Sequence, residues 1–329
     1  MGVERIPVWF NSNYGPRVLD DPRFLNALAG ASSGAVSATI VCPLDVVKTR
    51  LQVQRGGAGS SQKYFSTLGS LKRIYTEEGA IGLYRGLSPT LVALLPNWAV
   101  YFTAYEKLKS VLSWGVTDYG SRNAGTTAVH MGAAAGAGCA TILTTNPLWV
   151  VKTRMQIQNA GYSRGLPYGS VPYKGTINAL YRIGAEEGVK GLYSGLSPSL
   201  LGIGHVVIQF PLYEHLKREI AWGRDAEMDD LSAPELICAS ALSKMVASTA
   251  TYPHEVIRSR MHASGAGPGL GVMMDTCRMV YREDGIPSFY RGVGTNLVRT
   301  TPAAAITFTS FELIHRALRS WSKGRQGGE

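Results

Sequence analysis

At 329 residues the chain is long enough to bury a large core without disulfide staples. Its four cysteines, Cys42, Cys139, Cys238 and Cys277, show neither the CxxC spacing of a zinc site nor the density of a disulfide framework. A net charge of +10 carried by only 17% charged residues, with no Lys/Arg-rich block interleaved with aromatics, argues against nucleic acid and leaves anionic lipid or an anionic substrate as partners.

Residues 1–22 hold no apolar run, so no secretory signal is expected there. Glu4, Asp20 and Asp21 interrupt what would otherwise be an acid-free transit peptide, so any address is expected inside the mature chain. A small-residue apolar stretch then covers 28–42, with Gly30 and Gly34 at a spacing that lets helix backbones approach closely. It closes on Pro43-Leu-Asp45-Val-Val-Lys48-Thr-Arg50. An amphipathic stretch near 66–77 follows, then Glu78-Gly79 leading to Tyr84-Arg85-Gly86, then a second apolar segment over 83–112 containing Tyr105-Glu106-x-x-Lys109.

The same order returns twice. An apolar run over 129–146 meets Pro147-Leu-Trp149-Val-Val-Lys152-Thr-Arg154, followed by Glu187-Gly188, Tyr193-Ser194-Gly195 and Tyr213-Glu214-x-x-Lys217. A run over 236–252 meets Pro253-His-Glu255-Val-Ile-Arg258-Ser-Arg260, followed by Asp284-Gly285, Tyr290-Arg291-Gly292 and Phe311-Glu312-x-x-His315. The matching later segments are amphipathic stretches near 176–186 and 272–282 and long helices over 192–220 and 289–321. Three motifs recurring in order define a tandem repeat of helix pairs. The reading is an all-α membrane protein with six transmembrane helices, since a span needs about 20 residues. Boundaries fall at 1–22 (tail), 23–115, 125–222 and 231–322 (repeats), and 323–329 (tail).

The signature places an acid and a base three residues apart on one helical face. Inside a membrane such charges must turn toward the bundle interior. The alternative, a soluble helical repeat protein with solvated charges, conflicts with faces this apolar and Gly-rich. Links within each pair carry bases (Arg55, Lys63, Lys72 and Arg73; Arg164, Lys174 and Arg182; Arg278 and Arg282), whereas the link after the second pair is acidic (Asp225, Glu227, Asp229, Asp230). The basic links therefore mark the inner compartment and both termini the outer side.

The triple signature resembles the mitochondrial carrier family (solute carrier family 25) over residues 24–321. That resemblance implies a pseudo-three-fold barrel with short amphipathic matrix helices, a central water-filled cavity and alternating access between two gates. It also implies a monomer, with cardiolipin head groups held at Gly79, Gly86, Gly188, Gly195, Gly285 and Gly292. A turn role for these glycines is the simple alternative, compatible with the first. The default address is the mitochondrial inner membrane, although chloroplast and peroxisome members exist. Trp149 in place of an acid, the string Tyr252-Pro-His-Glu255 and the pair Ser243-Lys244 resemble the branch carrying NAD, FAD, folate and pyrimidine nucleotides. The strings from Pro96 to Phe102 and from Arg299 to Glu312 most resemble the NAD carriers of plants and fungi.

Three-fold symmetry pairs each signature acid with the base of the next repeat: Asp45 with Lys152 and Glu255 with Lys48. Trp149 leaves Arg258 without an acid and offers a weaker cation–π contact. An inner (matrix) gate of two bridges should open more readily than one of three. On the outer (cytoplasmic) side the expected pairs are Glu106 with Lys217 and Glu312 with Lys109. There Glu214 faces His315, a pH-sensitive contact that Arg316 can replace, unless His315 is only a surface residue. Pro43, Pro147 and Pro253 mark helix kinks.

Substrate contacts are sought where the repeats disagree. Lys244 stands where the other repeats have Gly34 and Gly138, and Arg299 where they have Ala93 and Leu201. Both suit phosphates, Arg through its bidentate fork. Asn97 matches His205 and Ala303, and Trp98 matches Val206 and Ala304. Trp98 would stack a base and Asn97 read its edge, although Trp98 facing lipid is a serious alternative. Gly202 matches the family's second substrate-contact point and would leave room for the ligand. The leading expectation is exchange of NAD⁺, as substrate and not as cofactor, for AMP or ADP. Carriage of FAD, folate or pyrimidine nucleotides is the rival, an uncoupling-type proton leak the different class, and a non-transporting scaffold the weakest. No Walker A loop, nucleophile–base constellation or metal cluster argues for an enzyme.

Overall fold

The structure, a computed structural model, describes residues 22–55, 66–114, 122–158, 172–223 and 231–326. Residues 1–21, Lys63, Arg164 and the acids between 225 and 230 lie outside the described residues. Among the described residues every regular element is helical. The first repeat contains α1 (Pro22–Val53), α2 (Thr67–Leu83) and α3 (Leu87–Trp114). The second contains α4 (Arg122–Ile157), α5 (Thr176–Leu192) and α6 (Leu196–Leu201), then a 3-10 turn (Gly202–Gly204) and α7 (His205–Trp222). The third contains α8 (Ala233–Ala250), α9 (Tyr252–Ser264) and α10 (Leu270–Asp284), then a 3-10 turn (Ile286–Tyr290) and α11 (Val293–Gln326).

The first long helix of each pair ends soon after the proline motif, within four residues of its last arginine. Pro43 and Pro147 lie inside α1 and α4, which run on to Val53 and Ile157, whereas the third repeat breaks at Thr251 between α8 and α9. A proline removes one backbone donor, and a helix packed among neighbours tolerates that loss. Hydropathy alone also understates the spans. Two described stretches, Leu28–Val53 and Leu196–Trp222, are long and apolar enough to cross a membrane on composition. The remaining long helices dilute their apolar faces with Gly, Ser and Thr, the residues that let helices meet closely.

The short helices within each pair are amphipathic and fasten to the ends of the preceding long helices. Ile74 of α2 packs with Cys42, Val46 and Val47 of α1. Ala179 and Ile183 of α5 pack with Val150, Val151 and Met155 of α4. Burial of a side chain such as Ile74 or Ile183 contributes about 1.5–3 kcal/mol. The Ser66 hydroxyl starts α2 by accepting from the Gly69 amide at 3.1 Å.

Gly79, Gly188 and Gly285 kink or end these helices at φ 69°, 70° and 69°, values that other residues adopt only with strain. Gly86, at φ 85°, is required twice over. A Cβ there would come within 2.6 Å of Gln156 Cγ and 3.2 Å of the Lys152 carbonyl oxygen. Gly195 and Gly292 seat the same way, on the carbonyls of Arg258 and Lys48. The second long helix of each repeat thus begins against the base of the next repeat's signature.

Two compact units divide the chain: residues 1–37 with 303–329, and residues 38–302. In the smaller, the Ser37 hydroxyl donates to the Ala303 carbonyl at 3.2 Å. In the larger, Val53, Ile157 and Ala263, at matching positions of the three repeats, close into one buried apolar cluster.

Candidate transport site

Just before that cluster the signature charges converge. Lys48 Nζ lies 2.5 Å from Glu255, and Lys152 Nζ lies 3.2 Å from Asp45. Both pairs are largely shielded from solvent, where opposite charges interact more strongly than at a surface. The third position holds no acid. Among the described residues Arg258 forms no ion pair. Its guanidinium stands 5.8 Å from the Trp149 ring centroid, and Lys152 Nζ stands 5.0 Å from the same ring. The Trp149 indole N–H is held by Thr145 Oγ1 at 3.2 Å.

Behind the acids and bases runs a second ring that the sequence reading did not assign. The last arginine of each signature is buried and grips a glutamate of the following short helix. Arg50 reaches Glu78 at 2.5 and 3.0 Å, and Arg260 reaches Glu283 at 2.6 and 2.9 Å. Arg154 forms the same two-pronged contact with Glu187. Each arginine also donates from Nε to a backbone carbonyl of another repeat: Arg50 to Gln156 at 3.0 Å, Arg154 to His262 at 2.9 Å and Arg260 to Gln52 at 2.8 Å. The readable signal was the joint recurrence of the final arginine and the acid-Gly motif, although in the third repeat the partner is Glu283, one residue before Asp284-Gly285.

The side chains of Gln52, Gln156 and His262 take part in a third ring. Thr49 donates to Gln156 Oε1 at 2.7 Å, Ser259 donates to Gln52 Oε1 at 2.7 Å, and Thr153 shares a bond with His262 Nδ1 at 3.1 Å. Gln52 Nε2 donates to the Tyr252 hydroxyl at 2.9 Å. Among the described residues the buried His262 Nε2 has no partner.

The candidate substrate residues separate. Arg299, expected as a phosphate ligand, is joined to a gate acid. Its Nη1 donates to Asp45 Oδ1 at 2.9 Å, while Asp45 Oδ2 holds Lys152. Arg299 Nη2 donates to Asn296 at 3.3 Å, and among the described residues its buried Nε has no partner. Gly202 was expected to leave room for a ligand. Instead a Cβ there would lie 2.7 Å from His254 Nε2, so the His254 ring fills that space. Gly138, expected to make room opposite Lys244, faces Ile203.

His205 Nδ1 donates to the Gly202 carbonyl at 2.7 Å. Lys244 is exposed on α8 and, among the described residues, has no ion-pair partner. Asn97 is half-buried on α3. Trp98 stacks on Phe102 of its own helix, ring centroids 5.7 Å apart. It shares an exposed apolar face with Leu91, Leu95 and Phe102, whose helical spacing suits acyl chains better than a nucleotide.

At the other end, among the described residues, Glu106 and Lys217 form no ion pair; Lys217 lies over the Tyr213 ring of its own helix, 5.6 Å from its centroid. Lys109 is exposed and Glu214 half-buried. In the smaller unit Glu312 bonds to Arg316 one turn on, and Phe311 stacks on His315.

The sequence profile of the family described as mitochondrial carrier protein matches residues 20–115, 123–222 and 229–321. The chain is 50% identical over 299 residues to nicotinamide adenine dinucleotide transporter 1, chloroplastic, of Arabidopsis thaliana, a match covering 89% of this chain and 91% of that protein. It is 50% identical over 302 residues to nicotinamide adenine dinucleotide transporter 2, mitochondrial, of the same plant, covering 89% and 79%. It is 40% identical over 304 residues to mitochondrial nicotinamide adenine dinucleotide transporter 1 of Saccharomyces cerevisiae, covering 91% and 78%. With all three repeats matched, and with the threefold rings of charge built from them, the chain belongs to the mitochondrial carrier family and is a membrane transporter, not an enzyme.

Proposed function

We propose that the protein carries NAD⁺ across the mitochondrial inner membrane in exchange for AMP or ADP, by alternating access to one central site. The observation that carries this reading is the likeness, over about nine-tenths of the chain, to three proteins named as nicotinamide adenine dinucleotide transporters. Asp45, Lys48, Lys152, Glu255, Arg258 and Trp149 act as the inner gate. Glu106, Lys109, Glu214, Lys217, Glu312 and His315 act as the outer gate. Lys48–Glu255 and Lys152–Asp45 are joined while Glu106 and Lys217 are apart, as expected of a carrier closed toward the inner compartment. Pro43, Pro147 and Pro253 lie at the bends that gate movement needs, and the glycine turns hold cardiolipin head groups. The working unit is the monomer.

Arg299 supplies the coupling. It is both the strongest phosphate ligand of the site and a partner of Asp45. A diphosphate that engages the guanidinium draws Arg299 from Asp45 and leaves the carboxylate to Lys152 alone. Ligand binding thereby acts on the gate through one shared carboxylate, the kind of differential interaction a state change requires. Lys244 adds a second cation for the phosphates. The test is uptake by the purified protein in liposomes of labelled NAD⁺, AMP, FAD, folate and UTP, measured side by side with and without internal AMP. NAD⁺ uptake that depends on internal AMP supports the reading. Uptake led by FAD, folate or UTP, or a proton leak without nucleotide uptake, overturns it. A plastid location for the native protein would move the same activity to another membrane.

A further inference from the structure

Two histidines lie outside the repeat symmetry: His205 at the start of α7 and His254 on α9 come from different repeats and both meet Gly202, His205 through the Gly202 carbonyl and His254 at the position a Gly202 Cβ would take. Where His254 stands, the other repeats have Leu44 and Leu148. Each imidazole is fixed by a backbone carbonyl: His205 Nδ1 by Gly202 and His254 Nδ1 by Thr251. A carbonyl oxygen only accepts, so in both neutral rings the proton sits on Nδ1 and Nε2 presents a lone pair. Among the described residues neither Nε2 has a hydrogen-bond partner. Gly202, which lacks a side chain, lets the His254 ring lie against the α6–α7 turn, with Nε2 2.7 Å from where a Cβ would stand. Both rings are half-buried, so their free nitrogens are neither lost in the core nor fully hydrated.

We propose that His205 and His254 form a paired acceptor for the NH2 group of the substrate's base, and so select nucleotides that carry an amino or carboxamide group. This rests on the nucleotide-carrier reading above and adds the chemistry of the base. An NH2 group has two hydrogens and satisfies two acceptors at once. A 6-oxo purine or a carboxylate offers lone pairs instead and meets two lone pairs. The adenine amino group and the nicotinamide carboxamide share this chemistry, and the two are separable by experiment.

Liposomes holding the protein and internal AMP are assayed for uptake of labelled AMP at about pH 8, where imidazole is neutral. Unlabelled AMP, IMP, NAD⁺ and nicotinic acid adenine dinucleotide serve as competitors. If the donor is the adenine amino group, IMP competes roughly tenfold more weakly than AMP; if it is the carboxamide, the acid dinucleotide competes roughly tenfold more weakly than NAD⁺. His254→Phe removes one acceptor and brings the ratio toward one. His254→Gln, whose Oε1 also accepts, retains part of it.

Equal competition within both pairs by the wild-type protein overturns the proposal without any variant, and so does full discrimination by His254→Phe. Should that variant fail to fold, His205→Phe carries the same comparison. If the wild-type protein takes up none of these nucleotides, the transport reading itself fails and this inference fails with it. If NAD⁺ and AMP are carried without discrimination, the histidine pair alone is refuted.

Discussion

Arg154→Ala isolates what the buried arginine clasps contribute. Arg154 is 1% exposed, grips Glu187 with both terminal nitrogens, and donates from Nε to the His262 carbonyl at 2.9 Å. Truncation leaves the Glu187 carboxylate, itself 7% exposed, without its cation. It also leaves the His262 carbonyl without that donor. Removing one partner of a buried pair costs about 3–5 kcal/mol, because the orphaned charge stays desolvated. For a chain of this size that lowers the midpoint of thermal unfolding by roughly 4–7 °C. The assay follows exposure of buried thiol in detergent, since Cys42 is 3% exposed in the folded chain and becomes reactive on unfolding. Arg278→Ala is the control. Its pair with Asp275, 3.4 Å apart, has side chains 69% and 72% exposed, and such surface pairs contribute about 0–1 kcal/mol. A midpoint for Arg154→Ala within about 2 °C of the wild type would show that the clasp does not hold the repeats together.

Further outcomes follow from neighbouring geometry. Gly86→Ala combines a positive φ with a Cβ 2.6 Å from Gln156, and should lose about 2–4 kcal/mol by the same thermal assay. Gly30→Ala, with nothing within 4 Å of its Cβ and a helical backbone, should be neutral or gain about 0.5–1 kcal/mol. Trp149→Asp gives Arg258 an acid in place of a ring face, so the protein should melt higher and transport several-fold more slowly; unchanged rate and midpoint would contradict the gate assignment. Arg299→Ala should abolish nucleotide uptake in liposomes while the protein still folds. If uptake survives both Arg299→Ala and Lys244→Ala, the phosphate site lies elsewhere.

The signature pairs were legible because three copies of one motif allow symmetry to replace coordinates. Asp45 with Lys152 and Glu255 with Lys48 need only the rule that each acid meets the next repeat's base. Symmetry also hid what it could not express. It gave Asp45 a single partner, although a carboxylate has two oxygens and the second binds Arg299. It treated Gly202 as open space, because His254 has no counterpart in the other repeats. Trp98 carried two readings, base stacking or a lipid-facing surface, and its exposure beside Leu91, Leu95 and Phe102 accords with the second. Pro43 and Pro147 were legible as kinks inside continuing helices, whereas the full break at Thr251 in the third repeat was not, since the matching positions of the other repeats stay helical.

The departures from threefold symmetry are not scattered. Trp149 replaces an acid, His262 stands where the other repeats have Gln52 and Gln156, and Ser194 stands where they have Arg85 and Arg291. All three fall where the second repeat meets the third. Between the first and second repeats, Arg85 donates to the Gln158 carbonyl at 2.9 Å beside the Asp45–Lys152 pair. Between the third and first, Arg291 donates to the Gln54 carbonyl at 2.8 Å beside the Lys48–Glu255 pair. Among the described residues the remaining junction has neither a signature ion pair nor such a strap; the Ser194 hydroxyl bonds within its own repeat, to Gly191. Separating paired, part-buried charges is more costly than separating a ring from a cation. The free energy of parting α4 from α9 is therefore lower than that of parting either other pair of signature helices. Gly202, His205 and His254 belong to the same two repeats, so a ligand held by both histidines bears on the junction that resists opening least.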